Sequence, residues 1–175
     1  SFVSCPMSNL VIGGVKQMED ITVSYDNLKS KWGVKLITDE VTAIDPTKRT
    51  VSTAQSGVVA YDRLVLSPGI REDWSAWQVN DAPAVAELRR RHSGAMLSAA
   101  DLPALKQRLA NFKGGDLLMT IPPAPYRCPP APYERAMFIA WWLKTQKIPG
   151  RLIIADPNPL MPAFRNILLD RYKDQ

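Results

Sequence analysis

Two cysteines hold most of the reactive potential of this chain. The more distinctive lies in Pro122-Pro123-Ala124-Pro125-Tyr126-Arg127-Cys128-Pro129-Pro130-Ala131-Pro132. Six prolines in eleven residues stiffen such a segment and remove backbone donors from it. A thiol held there, beside Arg127 and shortly before the positive end of a helix, is favoured as thiolate, the nucleophilic form. The competing reading is a buried cysteine that packs as a small hydrophobe. Glu134 falls in the first turn of the same helix, where a carboxylate either stabilises the N-terminus by position alone or takes part in catalysis. Cys5 lies in Ser4-Cys5-Pro6-Met7-Ser8-Asn9, a loop that enters a short helix with Ser8 or Asn9 as its cap. A competing reading is that, in an oxidising compartment, Cys5 and Cys128 simply pair with one another.

The elements needed to hold these residues follow from periodicity and turn chemistry. Asp116 to Ile121 reads as a strand, Tyr133 to Gln146 as an amphipathic helix, Arg151 to Ala155 as a strand and Leu160 to Tyr172 as a helix. That succession predicts a β-α-β-α unit with a parallel sheet, and it places the proline segment in a strand-to-helix turn, where open α/β sheets bind ligands. A dinucleotide site at this turn would need glycines so that amides can approach a pyrophosphate, and the segment has none. Asp156 stands where a dinucleotide fold would place a ribose-binding acid. Flanked by Pro157 and Pro159, it reads better as a turn residue.

Further upstream the pattern changes. Residues 8 to 20 are helical in spacing but interrupted by Gly13 and Gly14, and Tyr25 to Trp32 forms a second helix that Gly33 terminates. Val34 to Thr38, Glu40 to Asp45, Thr50 to Thr53 and Val58 to Ser67 are strand-like, with a turn at Asp45-Pro46-Thr47-Lys48, and together predict a β-meander. Leu64-Val65-Leu66 is a continuous apolar run that suits a strand covered on both faces, ending at Pro68-Gly69. Helices are expected over Ala82 to Arg91 and Asp101 to Phe112, and a domain boundary near Arg71. The fold class is therefore α/β, with the meander in a first lobe, 1–71, and the parallel unit in a second, 72–175.

Composition narrows the possible functions. A length of 175 residues with 46% hydrophobic content is enough for one domain or two small lobes and argues against disorder. The net charge of +5 is scattered, without the basic stripe interleaved with aromatics that nucleic-acid binding needs. Arg89-Arg90-Arg91-His92 is best read as the solvated end of a helix. The longest apolar stretch, Met137 to Leu143, falls far short of a membrane span. Two cysteines cannot build a disulfide framework, and neither has a zinc-like spacing.

Three segments in order resemble the flavin subunit of flavocytochrome c sulfide dehydrogenase and the related sulfur-oxidation flavoprotein. They are Ser4-Cys5-Pro6-Met7-Ser8-Asn9-Leu10-Val11-Ile12-Gly13-Gly14, Tyr61-Asp62-Arg63-Leu64-Val65-Leu66-Ser67-Pro68-Gly69-Ile70, and Tyr126-Arg127-Cys128-Pro129-Pro130-Ala131-Pro132-Tyr133-Glu134-Arg135-Ala136. The middle segment is generic among flavoproteins with two dinucleotide domains; the proline-flanked cysteine is much more specific. The resemblance implies a partial glutathione-reductase-like fold, with 1–71 the later part of the first FAD-binding segment and 72–175 an incomplete NAD-domain-like domain. It implies covalent FAD through a thioether at Cys5, and Ser67, Pro68 and Gly69 beside the cofactor. Cys128 would be one half of a redox-active disulfide, and Glu134 an acid near it able to act as base toward sulfide. Electrons would pass from sulfide to flavin and then to a c-type cytochrome subunit, in the periplasm.

The chain departs from the family at three points. The glycine-rich turn that grips the FAD pyrophosphate is expected upstream of Cys5, no cysteine follows Cys128 to pair with it, and Ala131 replaces a frequent glycine. The expectation is therefore a fragment that by itself is inactive and low in FAD. Two rivals remain: a binding or electron-transfer partner module without sulfide chemistry, and a pyridine-nucleotide disulfide oxidoreductase, which the glycine-free loop disfavours.

Overall fold

A computed structural model describes residues 1–70, 73–92, 94 and 101–174. The expected boundary at Arg71 lies outside the described residues. Contacts divide the chain into two compact units, one formed by Ser24–Glu72 and the other by Ser1–Val23 together with Asp73–Gln175. By packing, then, residues 1–23 join the later part of the chain rather than the meander.

The smaller unit begins with helix α2 at Asp26–Trp32. Gly33 ends it as expected: with φ 64° it lets its own N–H reach Lys29 O and that of Val34 reach Leu28 O. Strands β3 (Val41–Asp45), β4 (Thr50–Thr53) and β5 (Val58–Ala60) then form an antiparallel meander in that order. Asp45 shapes the first turn, its carboxylate accepting from the amides of Thr47 and Lys48 at 3.0 and 2.9 Å. Asp39 does the same for the second turn, accepting from the amides of Gln55 and Ser56. A side-chain bond from Ser56, with these amide bonds adding to it, holds the Asp39 carboxyl well below the ordinary carboxylate range.

Two expectations fail in this unit. Val34 to Thr38 forms no strand, because Val34 is spent on capping α2 and the following residues find no ladder partner among the described residues. The predicted strand from Val58 stops at Ala60, and Leu64, Val65 and Leu66 are 37%, 87% and 66% exposed. An apolar run signals burial only where another sheet or helix covers it, and among the described residues of this unit nothing does.

The larger unit starts with a two-stranded antiparallel pair, β1 (Phe2–Val3) with β2 (Thr22–Val23), enclosing α1 (Ser8–Ile12). The glycine pair ends α1 as expected, Gly13 donating to Asn9 O and Gly14 to Val11 O. Then come α3 (Ala82–Arg91), α4 (Asp101–Asn111), β6 (Gly115–Thr120), α5 (Ala131–Thr145), β7 (Gly150–Ala155) and α6 (Pro162–Tyr172). Strands β6 and β7 pair in parallel from Gly115↔Gly150 to Thr120↔Ala155, so the predicted β-α-β-α unit forms, with bounds within two residues of those expected. At the amino end of this pair a Cβ on Gly150 would meet the carbonyl oxygen of Gly115 at 2.8 Å, and one on Gly114 would meet that of Pro149 at 2.7 Å.

Two apolar clusters stabilise the unit. Val11, Ile12, Ile21, Leu102 and Leu109 join α1 to α4, with Phe138 and Trp142 of α5 packed against them. Met119, Ile121, Tyr133 and Ala136 join β6 to α5, with Phe164 of α6 alongside. Each fully buried Leu or Ile contributes roughly 1.5–3 kcal/mol. Helix α5 reaches both clusters because its buried positions recur at three- and four-residue steps: Pro132, Ala136, Ile139, Ala140 and Leu143. The basic run behaves as expected of a solvated helix end, Arg90 and Arg91 pairing with Glu87 one turn earlier.

Candidate functional site

The proline segment runs from the carboxyl end of β6 to the start of α5, the turn predicted for it. Cys128 is exposed and free, which removes the reading of a buried packing cysteine. It adopts φ 57°, a left-handed conformation that costs a residue with a side chain roughly 1–3 kcal/mol. Local bonds hold it there: the carbonyl of Cys128 accepts from Ala131 N at 3.0 Å, and that of Pro130 from Glu134 N at 3.0 Å. Arg127 and Glu134 are both exposed on either side of this corner.

Cys5 is likewise exposed and in no disulfide, so the alternative of a Cys5–Cys128 pair is not realised. Its carbonyl accepts from Ser8 N at 3.0 Å. The expected cap at Ser8 or Asn9 is not made, since α1 starts without a side-chain cap bond. The Ser8 hydroxyl is instead drawn inward, where it accepts from Arg135 Nη2 at 2.9 Å with both residues buried. Arg135 was not anticipated as a site residue. Burial pulls its pKa down to about 10, opposed by the nearby Cys5 and Glu134. Through this guanidinium the structure brings the Cys5 segment and the first turn of α5 to one place.

Ser67, Pro68 and Gly69 belong to the other unit and are exposed. Gly69 has φ 84° with open space where a Cβ would stand, so its backbone is accessible to a large ligand.

Asp156 makes the expected turn, accepting from Asn158 N at 2.9 Å, but it does more. Its other oxygen accepts from the hydroxyl of Tyr133, which is buried in α5 and stacked on Phe164 with ring centroids 5.2 Å apart. Burial acts to raise the Asp156 carboxyl; the bonds from Tyr133 and from the backbone and side chain of Asn158 outweigh it and hold the group below its ordinary value. Tyr133 is raised well above the ordinary phenol, by burial first and then by Asp156. Among the described residues no cluster of three or more His, Cys, Asp or Glu could hold a metal ion, and no helix is long and apolar enough to cross a membrane.

Residues 103–174 match the family model described as sulfide dehydrogenase [flavocytochrome c] flavoprotein chain, central. This chain resembles part of a sulfide-oxidising flavoprotein. The mitochondrial sulfide:quinone oxidoreductase of Mus musculus is 26% identical over 151 residues, covering 85% of this chain and 32% of that protein. The solved sulfide:quinone oxidoreductase of Aquifex aeolicus superposes with a TM-score of 0.76 at 23% identity, over 99% of this chain and 41% of its own. The fold is thus shared with that flavoprotein, and the chain spans about a third of the curated relative.

Proposed function

We propose that the protein containing this chain oxidises sulfide, with Cys128 as the thiol that exchanges with it. The observation that carries this reading is a free, exposed Cys128 held in a left-handed corner at the start of α5, inside the segment that matches the sulfide dehydrogenase family. In the resting state Cys128 forms a disulfide with a cysteine outside these residues, Cys5 being reserved for another role. Hydrosulfide attacks that disulfide; one S–S bond forms as the other breaks, leaving a persulfide and a thiolate. Glu134, exposed in the first turn of α5, takes the proton released by the incoming sulfide.

FAD fits the residue at which it would be attached: Cys5 offers an exposed thiol for a thioether. When bound, the flavin supplies the two-electron acceptor for the thiolate. The chain is read as the remainder of a glutathione-reductase-like pair of dinucleotide domains, divided at 71/72, and little FAD is expected to stay with these 175 residues alone. The family description favours a c-type cytochrome subunit as final acceptor, whereas the names of the two relatives favour a quinone; a periplasmic location is proposed from the sequence resemblance alone. Anaerobic addition of sulfide to the purified full-length protein should bleach the flavin in the wild type and not in Cys128→Ser. Bleaching at the wild-type rate in that variant would remove the role of Cys128. Reoxidation by cytochrome c or by a soluble quinone then assigns the acceptor.

A further inference from the structure

The segment that bears Cys128 is tied at both of its ends to the end of β7. Asn158 Nδ2 donates to Pro122 O at 2.9 Å and to Asp156 Oδ1 at 2.8 Å, while its Oδ1 accepts from Ala124 N at 2.8 Å. One side-chain amide therefore grips the backbone at the entry to the loop on two sides, as a further β-strand would. At the exit, Tyr133 in the first turn of α5 donates to the same Asp156 carboxylate that orients Asn158. Ile121 N donates to Ala155 O at 2.9 Å, carrying the sheet one residue past β6 to the point where the amide takes over. A loop with both ends fixed to one carboxylate, and stiffened by prolines between them, has few ways to move the residue at its corner.

We propose that Asp156, Asn158 and Tyr133 form a latch that positions Cys128, the acid at the end of β7 holding the loop where a dinucleotide fold would bind ribose. They are positioning residues, and the proposal rests on the reading of Cys128 as the sulfide-reactive thiol. Removing the latch leaves the thiol present and the fold intact but displaces its sulfur, and displacement on the scale of an ångström costs about tenfold to a hundredfold in rate.

The test uses the purified full-length protein with its flavin, comparing Asn158→Ala, Asp156→Ala and Asp156→Asn. The last keeps an oxygen for both Asn158 donors and a polar partner for Tyr133, so it serves as the conservative rescue. Hydrogen–deuterium exchange of peptides covering 121–133 reads the latch without reference to activity. Sulfide-dependent flavin reduction reads positioning, and the melting temperature reports on the fold. Both alanine variants should speed exchange in 121–133 and slow the saturating reduction rate by about tenfold or more, while Asp156→Asn stays within about threefold of wild type. Unchanged exchange in Asn158→Ala would show that there is no latch. Faster exchange with an unchanged reduction rate would show a latch that does not position the thiol, and overturns the proposal equally. If Cys128→Ser reduces flavin as wild type does, the underlying reading fails and the proposal falls with it, whatever the exchange data show.

Discussion

Ser24–Glu72 and the rest of the chain solve the problem of holding a shape in different ways. Among the described residues of the smaller unit no side chain is buried; its turns are set by Asp39 and Asp45, its helix end by Gly33, and its strands by ladder bonds. In the larger unit two apolar clusters surround α5, and every residue with a proposed chemical role except Ser67, Pro68 and Gly69 is positioned by elements that touch them. Hydrogen bonds exchanged for water contribute only about 1 kcal/mol each, whereas burial accumulates with area. Rigid placement of a reacting atom therefore belongs to the larger unit. The smaller unit offers an accessible backbone at Gly69, beyond its last strand.

The comparison can be broken most sharply at Cys128 itself: Cys128→Ser should lower sulfide-dependent flavin reduction by about a thousandfold or more, and Glu134→Gln by about a hundredfold, in anaerobic stopped-flow traces. No substitution of Thr42 or Thr47 in the meander should approach either. Flavin attachment comes next. Acid precipitation should leave the flavin with wild-type polypeptide and release it from Cys5→Ala, as read by absorption and intact mass. For stability, Leu102→Ala, at 1% exposure, should cost about 2–5 kcal/mol in urea unfolding, and Ile44→Ala in the meander, at 39%, less than about 1 kcal/mol. Equal costs would contradict the contrast drawn between the units.

A smaller effect should follow pH. Because the folded Asp156 carboxyl lies below its unfolded value, its contribution is fully present above the unfolded pKa of about 4 and disappears as pH falls through the folded one. The gap in melting temperature between wild type and Asp156→Ala should be constant near neutrality and narrow below about pH 4. A gap that widens on acidification would mean that the carboxylate is not the stabilised form. The smallest effect is expected at Arg151, whose bidentate pair with Asp116 at 2.9 and 2.7 Å is solvent-exposed: Arg151→Ala should leave the melting temperature within about 1 °C of wild type.

What could be read in advance divides along the same line. The β-α-β-α unit was legible because each of its elements carries its own period, and the caps and turns at Gly33 and Asp45 because they depend on neighbours in sequence. Leu64-Val65-Leu66 was misread because apolar composition records a need for cover and not its supply. The joining of residues 1–23 to α4 was invisible, since a contact between α1 and a helix ninety positions later leaves no local pattern. In the site, Cys128 and Glu134 stood out by position and company. Arg135 did not, although it lies four residues before Ile139 on the buried face of α5, where a charge calls for a partner. Asn158 was missed beside Asp156, whose turn role was foreseen; the alternating Asp156-Pro157-Asn158-Pro159 marks a stiff corner but not what its amide grasps.

The two ends of the β6–β7 pair differ in how much change they can absorb. At the amino end the backbones approach so closely that Gly150 and Gly114 leave no room for even a methyl group. Replacement there is a collision with main-chain oxygen, not with a side chain able to swing aside. At the carboxyl end the strands release long connections whose composition is limited only by what grips them. Mutational drift in such a unit is channelled in one direction: the closed end keeps the strands in register while the open end exchanges one loop chemistry for another.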